Sequence, residues 1–174
     1  EHGPQMWQVT YETLRGCPYK CTFCDIGDAY WQKIKMFDMV RVKAEIDWMA
    51  RKKIEYVAVC DSNWGLMPRD VDITKYVIET KQKTGWPKFI EAALGKSKKV
   101  MDVVKILEGS MNSSVATQST DAEVLENVKR KNVPDETAVE IIEHADAKLG
   151  SSFAEMILCL PGDTKEKHFK SMYD

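Results

Sequence analysis

Three cysteines, Cys17, Cys21 and Cys24, fall within the stretch GCPYKCTFCD, spaced by three residues and then by two. The other two, Cys60 and Cys159, stand alone and far apart. An odd, clustered set is a poor disulfide framework and a good set of metal ligands, as suits a reducing compartment. Soft thiolates favour zinc or iron–sulfur centres. Structural zinc takes four ligands, usually as two separated pairs. Candidates for a fourth ligand are His2, His144, His168 and the remote cysteines, and none has a zinc-finger offset. Three thiolates on a four-iron cube leave one iron without a protein ligand, open to a substrate or cofactor. Zinc and unliganded thiols stay open as alternatives. Gly16 allows a tight start to the loop, and Pro18 stiffens its first step.

Such a loop needs a scaffold, and strand and helix signals alternate along the whole chain. Strands are expected at Trp7–Leu14, Ile54–Cys60, Lys88–Leu94, Ser113–Ser119 and Ser152–Leu160. Between them lie helical patterns. The first is capped by Asp38 and runs through Val42, Ile46, Met49 and Ala50. The second starts near Asp70, carries Ile73, Val77 and Thr80, and stops at Gly85. The third runs through Val100, Val103, Val104 and Leu107 to a stop at Gly109. A capping box of Thr120 and Glu123 opens a short helix reaching Lys129. After Pro134 a further helix covers Ala138–Leu149 and ends at Gly150, and PGDTKEKHF turns into a last one. Five strand–helix units predict an α/β fold with parallel strands, either a doubly wound sheet or a complete or partial barrel. In both, chemistry gathers at the C-terminal ends of strands. The cysteine loop, Asp61, Asn63 and Gln118 all sit there.

The 174 residues suit one domain that buries a core without staples. A net charge of −2 gives no sign of general affinity for nucleic acid or anionic membrane. No apolar run approaches the roughly 20 residues of a membrane span, and no secretory signal stands at the start, so a cytoplasmic location is expected. The chain opens on EHGPQMW and stops at KSMYD inside a helical pattern. It reads as a segment of something longer or a minimal core.

CPYKCTFC resembles the signature of the radical S-adenosylmethionine (radical SAM) enzymes. That resemblance implies a partial (β/α) barrel of at least five units, a 4Fe–4S cluster on Cys17, Cys21 and Cys24, and S-adenosylmethionine on the open iron. It implies one-electron cleavage to a 5′-deoxyadenosyl radical, for hydrogen abstraction or methyl transfer on a small-molecule or unknown substrate. A reducing partner such as flavodoxin or ferredoxin would supply the electron. CDIGDAYW, FDMVRVKAEIDWMARKKIEYVAVCDSNWG and MILCLPGDT resemble a branch that often carries a cobalamin-binding domain upstream. Its Asp-x-Asn-aromatic-Gly stretch corresponds to Asp61, Asn63, Trp64 and Gly65. Many relatives have a Gly-Gly-Glu stretch there, which this chain lacks.

The resemblance also implies roles. Phe23 lies beside the adenine, and Asp61 and Asn63 take the amino group of the cofactor; their alternative is an Asx-stabilised loop. Gln118 and Ser119 reach the ribose, unless Ser119 and Thr120 only cap the next helix. Ile157 packs on the adenine or in the core. Glu155, if buried on the same face, needs a partner and would contact cofactor or substrate. Cys159 stands where the family often has glycine. Cys60 and Cys159 otherwise read as small buried apolar residues, His144 as surface, and the KRKN run Lys129–Asn132 as a solvated helix end. LPGDT lacks the Lys-Ser/Thr ending of a phosphate loop. Residues 1–174 are thus expected to be a radical SAM core, incomplete at the C-terminal end and without an upstream cobalamin domain. Cobalamin would need a missing domain or a partner. The competing readings are a truncated, non-catalytic cluster- and SAM-binding module and a zinc-stabilised structural domain.

Overall fold

A computed structural model describes residues 6–27, 32–107, 109–111, 113–149 and 152–174, with the side chains of 113, 145–149 and 152 excepted. His2, part of CDIGDAYW and the expected helix stop at Gly150 lie outside the described residues. The strands are β1 (Gln8–Tyr11), β2 (Leu14–Arg15), β3 (Lys35–Met36), β4 (Tyr56–Trp64), β5 (Phe89–Leu94), β6 (Ser113–Gln118) and β7 (Ser152–Met156). The helices are α1 (Met39–Arg51), α2 (Pro68–Thr84), α3 (Val100–Ile106), α4 (Ala122–Asn127), α5 (Asp135–Leu149) and α6 (Lys165–Tyr173).

The long strands are all parallel. They pair in the order β1-β4-β5 and, separately, β6-β7. Among the described residues a parallel bridge, Ile90 to Met111, joins β5 to the chain just ahead of β6. The apolar stripe expected from the sequence is the buried face of α1: Val42, Ile46, Met49 and Ala50. With Ile73 and Val77 of α2 and Val57 and Trp64 of β4 it forms the main core. Each such side chain contributes about 1.5–3 kcal/mol by leaving water. The opposite face of the strands lines an open cavity. The layer therefore curves as a partial barrel and is not wound on both sides. Among the described residues no helix is long and apolar enough to cross a membrane.

Several boundaries differ from the sequence expectation, each for a local reason. The first strand is broken after Tyr11, because Asp61 draws the backbone N–H groups of Thr13 and Leu14 out of the ladder. The short antiparallel pair β2-β3 then closes the two ends of the cysteine segment against each other. Strand β4 runs on to Trp64, with a register shift between Val59 and Trp64. Val57 and Trp64 both pack in the helix-side core, although an odd separation in a regular strand would face them oppositely. That irregularity carries Asn63 to the inner face.

Helix α2 begins at Pro68, two residues before Asp70, since proline fits the first helical position. Asp70 instead accepts from the N–H groups of Gly65 and Met67 at 3.0 and 2.9 Å. Asp121, not Thr120, caps α4, accepting from Val124 N at 3.0 Å. The Thr120 hydroxyl is taken by Ser171 and Asp174 of the last helix. Helix α4 stops at Asn127, before Lys129 turns to a φ of 53°. Helix α5 begins directly after Pro134, three residues ahead of Ala138. Strand β7 ends at Met156, and only Ile157 N continues the pairing, to Gln118 O. The stop at Gly85 holds, at positive φ, whereas α3 already ends at Ile106 with Leu107 as its C-cap, ahead of Gly109.

Candidate cluster and cofactor site

The cysteine segment leaves β2 at Gly16, whose φ of 102° takes the backbone through a turn that a side chain would strain. It then folds on itself, with Cys24 N bonded to Cys21 O and Gly27 N to Cys24 O. Thr22 N reaches across to Val128 O at 3.0 Å, tying the loop to the end of α4. Gly27 lies against this turn so closely that a Cβ would stand 2.5 Å from the Cys21 carbonyl oxygen. Gly27→Ala is therefore expected to displace the loop and destabilise the chain by about 1–3 kcal/mol, as overpacking does. Urea unfolding of the metal-free chain and iron content after reconstitution would measure both effects.

Cys17, Cys21 and Cys24 line one cavity of about 330 Å³, together with Phe23, Asn63, Lys96 and Arg130. Cys21 is buried, Cys17 half-buried and Cys24 exposed. Among the described residues no three His, Cys, Asp or Glu side chains converge on the space of a single metal ion. Donors aim at the sulfurs. Asn63 Nδ2 donates to Cys17 Sγ at 3.1 Å, and Lys96 Nζ stands 3.6 Å from Cys21 Sγ. Lys96 also lies 4.2 Å over the Tyr19 ring, and the Arg130 guanidinium lies 6.0 Å from the Phe23 ring. Arg130 is fixed by Ala116 O and by Asn132 Oδ1. Burial lowers the pKa of Lys96, and the Arg130 charge adds to that, against the opposing pull of Cys21 and Cys17.

A second cavity of about 420 Å³ adjoins the first and shares Ser62, Asn63, Lys96 and Arg130 with it. Its far part holds Tyr56, Glu91, Phe153 and Glu155. The Tyr56 hydroxyl donates to Glu91. Burial and that bond push the phenol up to about 12.

Residues 11–172 match the Radical SAM superfamily. The chain belongs to this superfamily. It is 35% identical over 156 residues to 2-(S-pantetheinyl)-carbapenam-3-carboxylate methyltransferase of Streptantibioticus cattleyicolor, over 87% of this chain and 23% of that protein. It is also 35% identical over 169 residues to the cobalamin-dependent radical SAM methyltransferase TokK of Streptomyces tokunonensis, over 94% of this chain and 25% of that one. The chain thus spans about a quarter of the length of these curated relatives.

Two solved structures share the fold. The radical SAM methyltransferase TsrM of Kitasatospora setae has a TM-score of 0.77 at 14% identity, over 97% of this chain and 33% of that one. The cobalamin-dependent S-adenosylmethionine radical enzyme OxsB has 0.63 at 16%, over 92% and 26%. At these identities the likeness is one of fold, the partial barrel. The superfamily's cofactors are a 4Fe–4S cluster and S-adenosylmethionine, and its members need a reductant. The donor set fits the cluster, with three cysteines around one cavity faced by an amide and two cations.

The sequence-predicted residues gather unevenly. Phe23 and Ile157 come together, both packed on Val124, Val128 and Leu160. Asn63 opens on both cavities. Asp61 is 1% exposed, and its carboxylate is occupied by Thr13 N, Thr13 Oγ1 and Leu14 N, so its acceptors serve the loop. Gln118 is buried at the end of β6 with a φ of 67°. Ser119 faces Ser171 and accepts from Asp121 N, a local bracing of α4 and α6.

Other expectations fail. Glu155 is exposed to the open cavity and not buried. Cys60 and Cys159 are exposed, Cys60 inside the cluster cavity. His144 is partly buried, with Nε2 lacking a partner among the described residues. Arg130, expected in a solvated helix end, is a wall of both cavities, and so is Lys96, which no spacing in the sequence marks. Each sits in a basic run, KRKN and GKSKK, where nothing local separates the inward residue from its neighbours.

Proposed function

We propose that this chain is the core of a radical SAM methyltransferase that works with cobalamin carried elsewhere in the polypeptide or by a partner. The observation that carries the reading is the cysteine loop with Asn63, Lys96 and Arg130 aimed at it, opening on a second, substrate-sized cavity. The two methyltransferases at 35% identity support the reaction class. Cys17, Cys21 and Cys24 would hold a 4Fe–4S cluster at the cluster cavity, and such a cluster would supply, when reduced, the one electron for cleaving the sulfonium of S-adenosylmethionine. The protein's own residues do the rest. Phe23 and Ile157 present an apolar wall for the adenine, and Gln118 stands at the strand end for the ribose. Asn63 and the loop set by Asp61 hold the methionine end near the cysteines. Glu155, Glu91 and Tyr56 lie on the substrate side, where they can accept or donate hydrogen bonds. The substrate is a small molecule, the location the cytoplasm, and the reductant a flavodoxin or ferredoxin.

Anaerobic reconstitution with iron and sulfide tests this. The reduced chain should convert S-adenosylmethionine to methionine and 5′-deoxyadenosine, seen by liquid chromatography. The full-length polypeptide with cobalamin should also yield S-adenosylhomocysteine. A cluster-loaded full-length protein that cleaves no S-adenosylmethionine would sink the reading.

A further inference from the structure

We infer that Lys96 and Asn63 set the reduction potential of the cluster, by stabilising the charge that reduction adds at the Cys21 and Cys17 thiolates. The inference rests on the cysteine loop holding the cluster and adds an electronic role for two residues outside the cysteine motif. Asn63 is 5% exposed, and its Nδ2 donates to Cys17 Sγ at 3.1 Å. A buried amide that spends a donor on sulfur is oriented by that bond. Lys96 Nζ stands 3.6 Å from Cys21 Sγ and 4.2 Å over Tyr19. Its neighbours Lys98 and Lys99 are exposed, while Lys96 is half-buried and turned inward.

The two donors come from different strand ends, β4 and β5, and reach different sulfurs. Reduction adds one electron to a cluster already negative through its thiolates. A nearby cation or N–H donor lowers the energy of the reduced form more than that of the oxidised form. The potential therefore rises, and hydrogen bonds to the sulfurs are one of the protein's main levers on it. At a half-buried position the cation is screened less than in bulk water.

The test is an anaerobic redox titration of the reconstituted chain, followed by electron paramagnetic resonance, with iron and sulfide counted for each variant. Lys96→Met keeps the stem over Tyr19 and removes the charge. It should disfavour the reduced cluster roughly tenfold, a shift of ~59 mV to more negative potential for one electron. Asn63→Leu should move it the same way by less. Lys96→Arg should restore the original value, and Lys98→Met, the same charge lost from an exposed position, should change nothing. Lys96→Gln, a neutral donor, should fall between and stands in if Lys96→Met loads poorly. Loaded Lys96 and Asn63 variants at the unaltered potential would overturn the inference, as would an equal shift in Lys98→Met. A parent chain that takes up no iron would instead overturn the cluster reading beneath it.

Discussion

Cys21→Ala is expected to leave the chain folded, colourless and inactive. Cys21 is the buried member of the triad, and its sulfur faces both Lys96 and the Arg130 side. Two remaining thiolates hold only two corners of a cube. Loss of one ligand should cut S-adenosylmethionine cleavage by more than roughly 100-fold, beyond the 10–100-fold typical of residues that merely support a ligand. The fold should survive, because the loop is tied by backbone bonds from Thr22, Cys24 and Gly27 and not by its sulfurs. Cys60 is the informative control. It lines the same cavity but stands on β4, outside the loop. Cys60→Ala should keep full iron and sulfide. Iron content, visible absorbance and far-ultraviolet circular dichroism on the two variants measure all of this. A Cys21→Ala protein that still carries a full cluster would remove the basis for the site.

What was legible in the sequence was whatever is local. The repeat of Val42, Ile46, Met49 and Ala50 states a helix face because those four positions fall on one turn-by-turn stripe, and that stripe is buried. Three cysteines in one loop are legible for the same reason, and the structure sets all three around one cavity. Boundaries were less legible, because competing local partners decide them. Thr120 and Asp121 can both cap α4, and only the packing of Ser171 against Thr120 resolves the contest. The basic members of the site were hidden. Lys96 and Arg130 look like any charged surface residue until strand register brings them to the cysteines. Glu155 was misread because alternation tells which face a residue takes, and not whether that face is packed or open. Asp61 was identified as a site residue, but its partners, Thr13 and Leu14, lie nearly fifty residues upstream, beyond the reach of any spacing argument.

Asp61→Ala and Asp61→Asn are expected to part company. The alanine orphans two buried N–H groups and the Thr13 hydroxyl, at 0% exposure for Thr13. An unmade buried hydrogen bond costs about 1–3 kcal/mol, so a loss of about 3 kcal/mol or more follows. Asparagine keeps an oxygen for Thr13 N and Leu14 N and turns its amide toward the hydroxyl, so the loop stays in place. The pH dependence separates the two contributions of Asp61. Burial raises its pKa above the ordinary 3.8, against the lowering pull of Thr13 and Leu14, and burial raises Asp70 likewise. A carboxyl with a raised folded-state pKa stabilises the fold fully below its unfolded value. That contribution fades as pH climbs through the raised value. Asp61→Asn removes one such carboxyl, so its stability relative to the parent should improve as pH climbs from the ordinary 3.8 through the raised value. Urea midpoints of the metal-free chain across that range read the difference directly. Because β1 hands the chain to the cysteine segment through Thr13 and Leu14, Asp61→Ala should also load less iron, while Asp61→Asn loads normally. Parallel pH curves for parent and Asp61→Asn would show that the buried charge contributes nothing, and an Asp61→Ala chain as stable as the parent would show that this tether does not hold the loop.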